Sequence, residues 1–330
     1  MKPKLLTTLE TYTREDFLQD TIAGLTVALV AIPLSIAIAI ASGAEPAQGI
    51  VTVIVAGMLV SLLGGSRVQI GGPTGAFIVV VYGVIAEHGY DGLVLATFMA
   101  GLILLLAGVL RVGNLIQYVP ESVINGFTIG IAVIIATSQL KDFFGIDVAQ
   151  LPADFLEKVP ALWAARDTAS LVALLAGVTT LVAIVLLRRV IPRAPCTIII
   201  VAIVSTVIFL AGLPVDTIES RYGALPQQLP MPALPSFSLE KVLEMLPSAI
   251  VIAFLAGVES LLSAMVADRM IGSAHRPNAE VLAQGAANVG SALFGGLPAT
   301  GAIARTAKTS GRAGARRLPA SSTRLPCSRS

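Results

Sequence analysis

The sequence predicts an all-α polytopic membrane protein, and three observations carry the prediction. Hydrophobic residues make up 55% of the 330-residue chain and charged residues 13%, about half the charged share of a soluble domain. The apolar residues gather into about nine to ten runs, most of them near the roughly 20 residues that cross a 30 Å hydrocarbon core. These runs lack the polar face that helices of a soluble repeat protein show to water, which sets that class aside.

Taken in order, residues 1–20 are polar and mixed in charge. They lack the basic, apolar and small-residue sequence of a removable signal, so insertion is expected to begin with the first helix. Apolar runs follow at 21–41, 47–64, 75–86, 92–110, 121–139, 169–187, 196–212, 246–267 and 281–294, and a tenth begins near Thr300. Pro33 inside the first run predicts a kink, because proline removes one helical hydrogen bond and crowds the preceding turn. Run 75–86 is too short to span alone and reads as a half-helix preceded by extended chain. The connections 140–168 and 213–245 read as solvent-facing loops, the second because Leu225-Pro226-Gln227-Gln228-Leu229-Pro230 cannot hold a stable helix. Five regions result: a cytoplasmic segment 1–20, a first membrane repeat 21–212, an extracytoplasmic proline-rich loop 213–245, the start of a second repeat 246–307, and a polar basic tail 308–330.

The net charge of +2 is spread over the connections, with no basic stripe interleaved with aromatics, which excludes nucleic acid as a partner. Cys196 lies in an apolar run and Cys327 in the polar tail, a pattern with neither metal spacing nor a disulfide framework. Cys196 is expected to pack as core. Asp268, Arg269, His275 and Arg276 are expected in a solvated loop, and Gln139, Lys141 and Asp142 at the end of the fifth run. Alternate crossings place Lys2, Lys4, Arg14, Arg67, Arg111, Arg188, Arg189, Arg193, Arg269 and Arg276 on the side of the N-terminus. Lys141, Lys158, Arg166, Arg221 and Lys241 fall on the other side, so the positive-inside rule puts the N-terminus in the cytoplasm.

Two glycine-rich strings nearly repeat each other: Gly71-Gly72-Pro73-Thr74-Gly75-Ala76 and Gly295-Gly296-Leu297-Pro298-Ala299-Thr300-Gly301-Ala302. A helix broken inside lipid frees backbone groups that cost several kcal/mol each, so breaks persist where a cavity or neighbouring chain satisfies them. By the topology above, Thr74 begins a segment running outward and Thr300 one running inward, the relation of an inverted repeat. The first N–H groups of each half-helix lack intrahelical partners and sit at the positive end of the helix dipole, so two such ends facing one cavity would cradle an anion. Gly75 and Gly301 leave the backbone approachable, and the hydroxyls of Thr74 and Thr300 can donate to an oxyanion. Close packing of small residues is the alternative reading of either string by itself.

Glu259 and Arg305 stand out among charges within the runs, since an ionisable group at the bilayer centre costs at least roughly 2.5 kcal/mol. Ser263 lies one turn from Glu259 on the same helical face. Glu259 reads as a carrier of a coupled proton, since burial raises a carboxylate pKa, or as one half of a structural salt bridge with Arg305. By itself Arg305 reads as a residue snorkelling to the interface.

The stretch Ala23-Gly24-Leu25-Thr26-Val27-Ala28-Leu29-Val30-Ala31-Ile32-Pro33, then Leu63-Gly64-Gly65-Ser66-Arg67-Val68-Gln69-Ile70-Gly71-Gly72-Pro73-Thr74-Gly75-Ala76-Phe77, resembles bacterial SulP anion permeases and the related solute carrier 26 exchangers. Gly257-Val258-Glu259-Ser260-Leu261-Leu262-Ser263 and Pro298-Ala299-Thr300-Gly301-Ala302-Ile303-Ala304-Arg305-Thr306 extend the resemblance, which runs from about residue 15 to Ala307. It implies a seven-plus-seven inverted-repeat fold in which a core domain moves against a gate domain, often followed by a cytoplasmic STAS domain. It further implies an anion held by Thr74, Gly75, Ala76, Phe77, Thr300, Gly301, Ala302 and Arg305, a coupling ion near Glu259 and Ser263, and a kink at Pro33 facing the site. Leu34-Ser35-Ile36-Ala37-Ile38 departs from members with a polar or aromatic residue after that proline, which leaves the identity of the anion open.

Beyond Ala307 the family pattern is expected to stop, and a one-base displacement of plausible codons turns the tail into a sequence resembling the family's continuation. A frameshift there would leave the second repeat incomplete. A genuine basic tail that binds anionic lipid is the alternative. The function expected is secondary active transport of a small inorganic anion of the sulfate or bicarbonate class, with Na⁺ or H⁺ as coupling ion, without enzymatic chemistry or cofactor. A channel-like module and a non-transporting fragment are the competing readings. A nucleobase permease is disfavoured, since it would need polar side chains to read base edges. The expected setting is a bacterial inner membrane, with a homodimer implied by the resemblance.

Overall fold

The computed structural model describes residues 3–10, 12–114, 121–148, 152, 155–191, 196–215, 217, 220, 223, 228–302 and 306. A short N-terminal helix α1 (Lys4–Leu9) precedes α2 (Arg14–Ala41) and α3 (Pro46–Leu63). Pro46 occupies the first helical turn of α3, where its missing N–H would have no partner in any case, and the Gln48 side chain accepts from the Glu45 N–H at 2.9 Å. Gly49 lets α3 ride against α2: a Cβ there would run into the carbonyl oxygen of Ser35.

The extended pair β1 (Gly71–Gly72) follows, then a 3₁₀ turn at Gly75–Phe77 that leads into α4 (Ile78–Val109). Gly89, at φ 70° and ψ 179°, divides α4, so the two runs expected at 75–86 and 92–110 lie on either side of a glycine-specific break. Next come α5 (Glu121–Phe144), α6 (Phe155–Ala164), α7 (Leu171–Val190) and α8 (Cys196–Leu210). The last elements are α9 (Leu239–Ile271), α10 (Pro277–Leu293) and β2 (Thr300–Gly301). Ser238 caps α9 by accepting the Lys241 N–H at 3.2 Å, and Gly272 ends it in the left-handed conformation at φ 62°.

Three expectations need correction. The connection 140–168 is not a loop throughout, because α5 continues to Phe144 and α6 lies within it. The proline-rich connection 213–245 is shorter, since a serine cap starts α9 at Leu239 rather than near 246. The fold is also not wholly helical: β1 and β2 pair as antiparallel strands.

The core sits where α4, α9 and α10 meet. Phe77, Val81, Leu93, Leu104, Ile252, Leu262 and Leu297 are buried in one cluster there. Gly101 on α4 and Gly285 on α10 set the approach: a Cβ on Gly101 would lie 2.7 Å from the Val289 nitrogen, and one on Gly285 2.7 Å from the Leu105 nitrogen. Glycine at both positions brings the two backbones into direct contact. By contrast α7 buries no residue, and its apolar side chains face outward. Five described helical segments are long and apolar enough to cross a membrane: Ala23–Ala41, Pro46–Leu63, Gly75–Val109, Leu171–Val190 and Leu239–Ile271.

The two ends of α9, whose helix spans about 50 Å at 1.5 Å per residue, differ in chemistry. At its C-terminal end Lys4 donates from its N–H to the Gly64 oxygen (2.9 Å) and from Nζ to the Ala274 oxygen (2.8 Å). Arg276 reaches the Pro3 oxygen at 3.3 Å, and burial together with Arg67 and Arg276 pushes the Lys4 ammonium below its ordinary range. Asp268 and His275, expected in solvated chain, are instead partly buried and joined at 2.6 Å. Near the N-terminal end His88 Nδ1 lies 3.1 Å from Glu244, and Tyr90 donates to the Gly295 oxygen at 2.8 Å.

The glycine crossing yields a test. Gly101→Val is expected to lower stability by about 1–3 kcal/mol through overpacking, read as a fall in thermal midpoint in detergent. Gly83→Ala, at a helical glycine with open space around its Cβ position, is expected to be neutral or to stabilise by up to about 1 kcal/mol.

Candidate functional site

The two glycine-rich strings meet. Gly71 pairs with Gly301 and Gly72 with Thr300 in an antiparallel register. Next to the pair, the Ala302 N–H donates to the Ile70 oxygen (2.9 Å), and the Ile70 N–H donates to the Thr306 hydroxyl (3.2 Å). Each break thus supplies hydrogen-bond partners the other needs in a buried setting.

Side chains complete the accounting. Asn288 on α10 accepts the Ala299 N–H through Oδ1 (2.9 Å) and donates through Nδ2 to the Ala299 oxygen (2.8 Å), so one amide pairs with both polar groups of that residue. The Leu297 N–H donates to the Thr52 hydroxyl (2.6 Å), and the Leu297 oxygen accepts from the Ser291 hydroxyl (2.6 Å). Gly301 is held from beneath: a Cβ there would collide with the Gln69 side-chain amide and lie 3.2 Å from the Ser260 Cα.

The expected site residues fall as follows. Thr74 and Glu259, 185 positions apart, are joined by a hydrogen bond of 2.8 Å from Thr74 Oγ1 to Glu259 Oε2. Both are buried, at 7% and 4% exposure. The Thr300 hydroxyl donates to the Ala256 oxygen on α9 at 2.9 Å. Both hydroxyls expected to serve an oxyanion are therefore engaged within the protein. Gly75 and Phe77 are buried and Ala76 half-buried at the 3₁₀ turn, and Gly301 and Ala302 are buried beside it. Ser263 is fully buried on α9, and its Oγ has no hydrogen-bond partner among the described residues. Pro33 lies inside α2 with its ring exposed. Arg305 lies outside the described residues, and with it the expected pairing to Glu259.

Sequence reasoning missed a polar network beneath the paired strands. Glu280 on α10 is fully buried and accepts from the Gly65 N–H (2.9 Å), the Ser260 hydroxyl (2.9 Å) and the Gln284 amide (3.0 Å). Gln69 donates to the Ser260 carbonyl and hydroxyl oxygens, both at 3.0 Å. A chain of contacts therefore runs from the loop after α3, through Glu280, Ser260 and Gln69, to the underside of Gly301. A signal was present: Glu280, Gln284, Asn288 and Ser291 recur at three- and four-residue spacing, a polar stripe on one face of α10. The small residues between them disguised it as an apolar run.

Chemically, this arrangement places the start of α4 at the Gly75–Phe77 turn, with its surplus of N–H groups, close to the buried Glu259 carboxylate, and one turn further along α9 stands the Ser263 hydroxyl, which has no partner among the described residues. Amides favour an anion, whereas the carboxylate and hydroxyl oxygens favour a cation or a proton.

Comparison with known proteins gives a consistent result. Residues 17–317 match the sulfate permease family. The chain is 45% identical to YvdB of Bacillus subtilis over 90% of its own length and 56% of that protein. It is 30% identical to the bicarbonate transporter BicA of Picosynechococcus over 87% of its length and 52% of BicA. It thus spans little more than half of these relatives. The solved transmembrane domain of a cyanobacterial BicA superposes with a TM-score of 0.78 at 28% identity, covering 92% of this chain and 82% of that domain.

The Glu280 network makes a stability prediction. Glu280→Ala leaves three donors without their acceptor and is expected to destabilise by about 3 kcal/mol or more, read by denaturant unfolding in detergent. Glu280→Gln keeps the shape but turns one acceptor into a donor facing other donors, so it too is expected to destabilise.

Proposed function

The chain belongs to the sulfate permease family, and on that premise we propose that it serves secondary active transport of a small inorganic oxyanion of the sulfate or bicarbonate class. One observation carries the proposal: β1 and β2 pair the two glycine-rich strings with each other, and Thr74, just after the first of them, is hydrogen-bonded to the buried Glu259. Family membership and the apolar helices make it an integral membrane protein. We assign it to a bacterial inner membrane, with the Lys4–Arg67–Arg276 end in the cytoplasm as the positive-inside rule favours.

In this reading the anion is held chiefly by backbone N–H groups at Gly75 and Ala76, with Phe77, Thr300, Gly301, Ala302 and Arg305 beside it. Backbone amides recognise charge and size, which suits sulfate and bicarbonate alike. Glu259 carries the coupling ion: a proton on its carboxyl, or Na⁺ shared with the buried Ser263 hydroxyl. While Glu259 is ionised, it claims the Thr74 hydroxyl. Once neutralised, it releases that hydroxyl to donate to the anion, so the two solutes favour each other's binding. Pro33 is assigned the kink of α2 that faces the anion. The remaining motion is a core domain moving against a gate domain within a seven-plus-seven inverted repeat, in which α4, α9 and α10 belong to the core and α5, α7 and α8 to the gate. In that scheme the first repeat spans 21–212 and the second opens with α9 at Leu239.

Uptake of labelled sulfate and bicarbonate into proteoliposomes tests this. The expected outcome is saturable uptake that depends on a Na⁺ or H⁺ gradient. Thr74→Val is expected to raise the anion KM about tenfold, the equivalent of one hydrogen bond to a charged group. Glu259→Gln is expected to remove the gradient dependence. Conductance without saturation would replace the transporter with a channel, and unchanged kinetics in both variants would defeat the assigned roles.

A further inference from the structure

The helix α6 was not legible as an element, and it has three differently furnished sides. At about 3.6 residues per turn, Phe155, Leu156, Val159 and Trp163 fall within an arc of about 100°. These apolar side chains are exposed, Leu156 at 77% and Trp163 at 71%. Lys158 and Leu162 occupy the adjoining arc and are buried, with Lys158 Nζ donating to the Ser138 hydroxyl of α5 at 3.0 Å. Glu157, Pro160 and Ala164 occupy the third side and are exposed.

The excursion that contains α6 is closed at its base. The Ser170 N–H, which precedes α7, donates to the Phe144 oxygen at the end of α5 (3.0 Å), and the Thr168 hydroxyl accepts the Asp147 N–H (2.9 Å). The chain therefore leaves and re-enters at the same level, the ends of two apolar helices. Apolar residues near those ends of the two helices, Leu140, Phe144, Leu171 and Leu175, are exposed as well. Arg166 sets its guanidinium over the Trp163 ring, 5.1 Å from the ring centre, which places a cation against the aromatic face.

We propose that α6 is a membrane-interface helix: its Phe155, Leu156, Val159 and Trp163 face lies in the lipid at the headgroup–acyl boundary, while Lys158 and Leu162 fasten it to α5. A helix with one face for protein, one for acyl chain and one for water is stable only where those three media meet. Tryptophan and arginine at its end suit the headgroup level, where an amphipathic ring and a cation both keep polar company. The helix then fixes the depth of α5 and α7 in the bilayer.

Trp163 is the chain's single tryptophan, so its fluorescence reports on α6 alone, whatever the transport activity. The protein is reconstituted in phosphatidylcholine–phosphatidylglycerol vesicles with brominated acyl chains. Emission is expected to be blue-shifted and quenched about twofold more by bromines near the glycerol end than by bromines near the methyl end, matching a face roughly 5–10 Å inside the boundary. Leu156→Asp with Val159→Asp, both at exposed positions, is expected to at least halve that quenching. Strongest quenching by the deep bromines would place the helix in the hydrocarbon core and overturn the proposal. So would red emission open to acrylamide, or blue emission that no bromolipid quenches, which would mean cover by protein such as a second copy. The unmodified protein decides between these outcomes even if the double variant fails to fold.

Discussion

A backbone buried in lipid must find hydrogen-bond partners for every N–H and C=O group, and the structure is organised around two places where helices do not provide them. The extended residues Gly71–Gly72 and Thr300–Gly301 answer each other as a two-residue antiparallel pair. So short a sheet has almost no stability by itself. It is held because side chains of α3 and α10 supply what strands on either side would supply in a larger sheet, above all Asn288 pairing with Ala299 at both its polar groups.

That requirement explains the composition of α10. A helix bearing Glu280, Gln284, Asn288 and Ser291 along one face is a poor candidate for contact with lipid, and all four are buried against protein. The opposite demand, close approach to α4, is met by Gly101, Gly108 and Gly285, at which any side chain would collide. Polar and small residues divide α10 between them, and the large apolar residues that fill the core come mostly from α4 and α9. The Glu280 carboxyl meets three donors, from the loop after α3, from α9 and from α10 itself, so it holds three segments together.

Much of this was legible in the sequence, and the rest was hidden for identifiable reasons. The paired breaks could be read from Gly71–Ala76 and Gly295–Ala302, because glycine and proline are conspicuous in apolar runs. Glu259 was conspicuous as a charge among apolar residues. That Thr74 and Thr300 would donate to Glu259 and Ala256 could not be read, since hydrogen bonds across 185 and 44 positions leave no local trace. Gln69, Ser260 and Thr52 looked like incidental polar residues until their partners were known. The helix α6 escaped because ten residues with a proline and two charges resemble a loop when periodicity is judged against membrane-spanning length.

The bond between Thr74 and Glu259 also bears on how the chain is made. At the usual pace of synthesis, roughly 5–20 residues per second, the 185 positions between them take about 10–40 s to emerge, and β2 emerges later still. Throughout that interval Gly71 and Gly72 are without their strand partner, although α3 and α4 on either side of them are complete. Release of the first broken helix into lipid would then have to be delayed, or the nascent chain sheltered by the insertion machinery until its counterpart arrives. The fold therefore has a waiting time written into its order of elements, and an interrupted or slowed ribosome would prolong the one stage at which this backbone is unpaired.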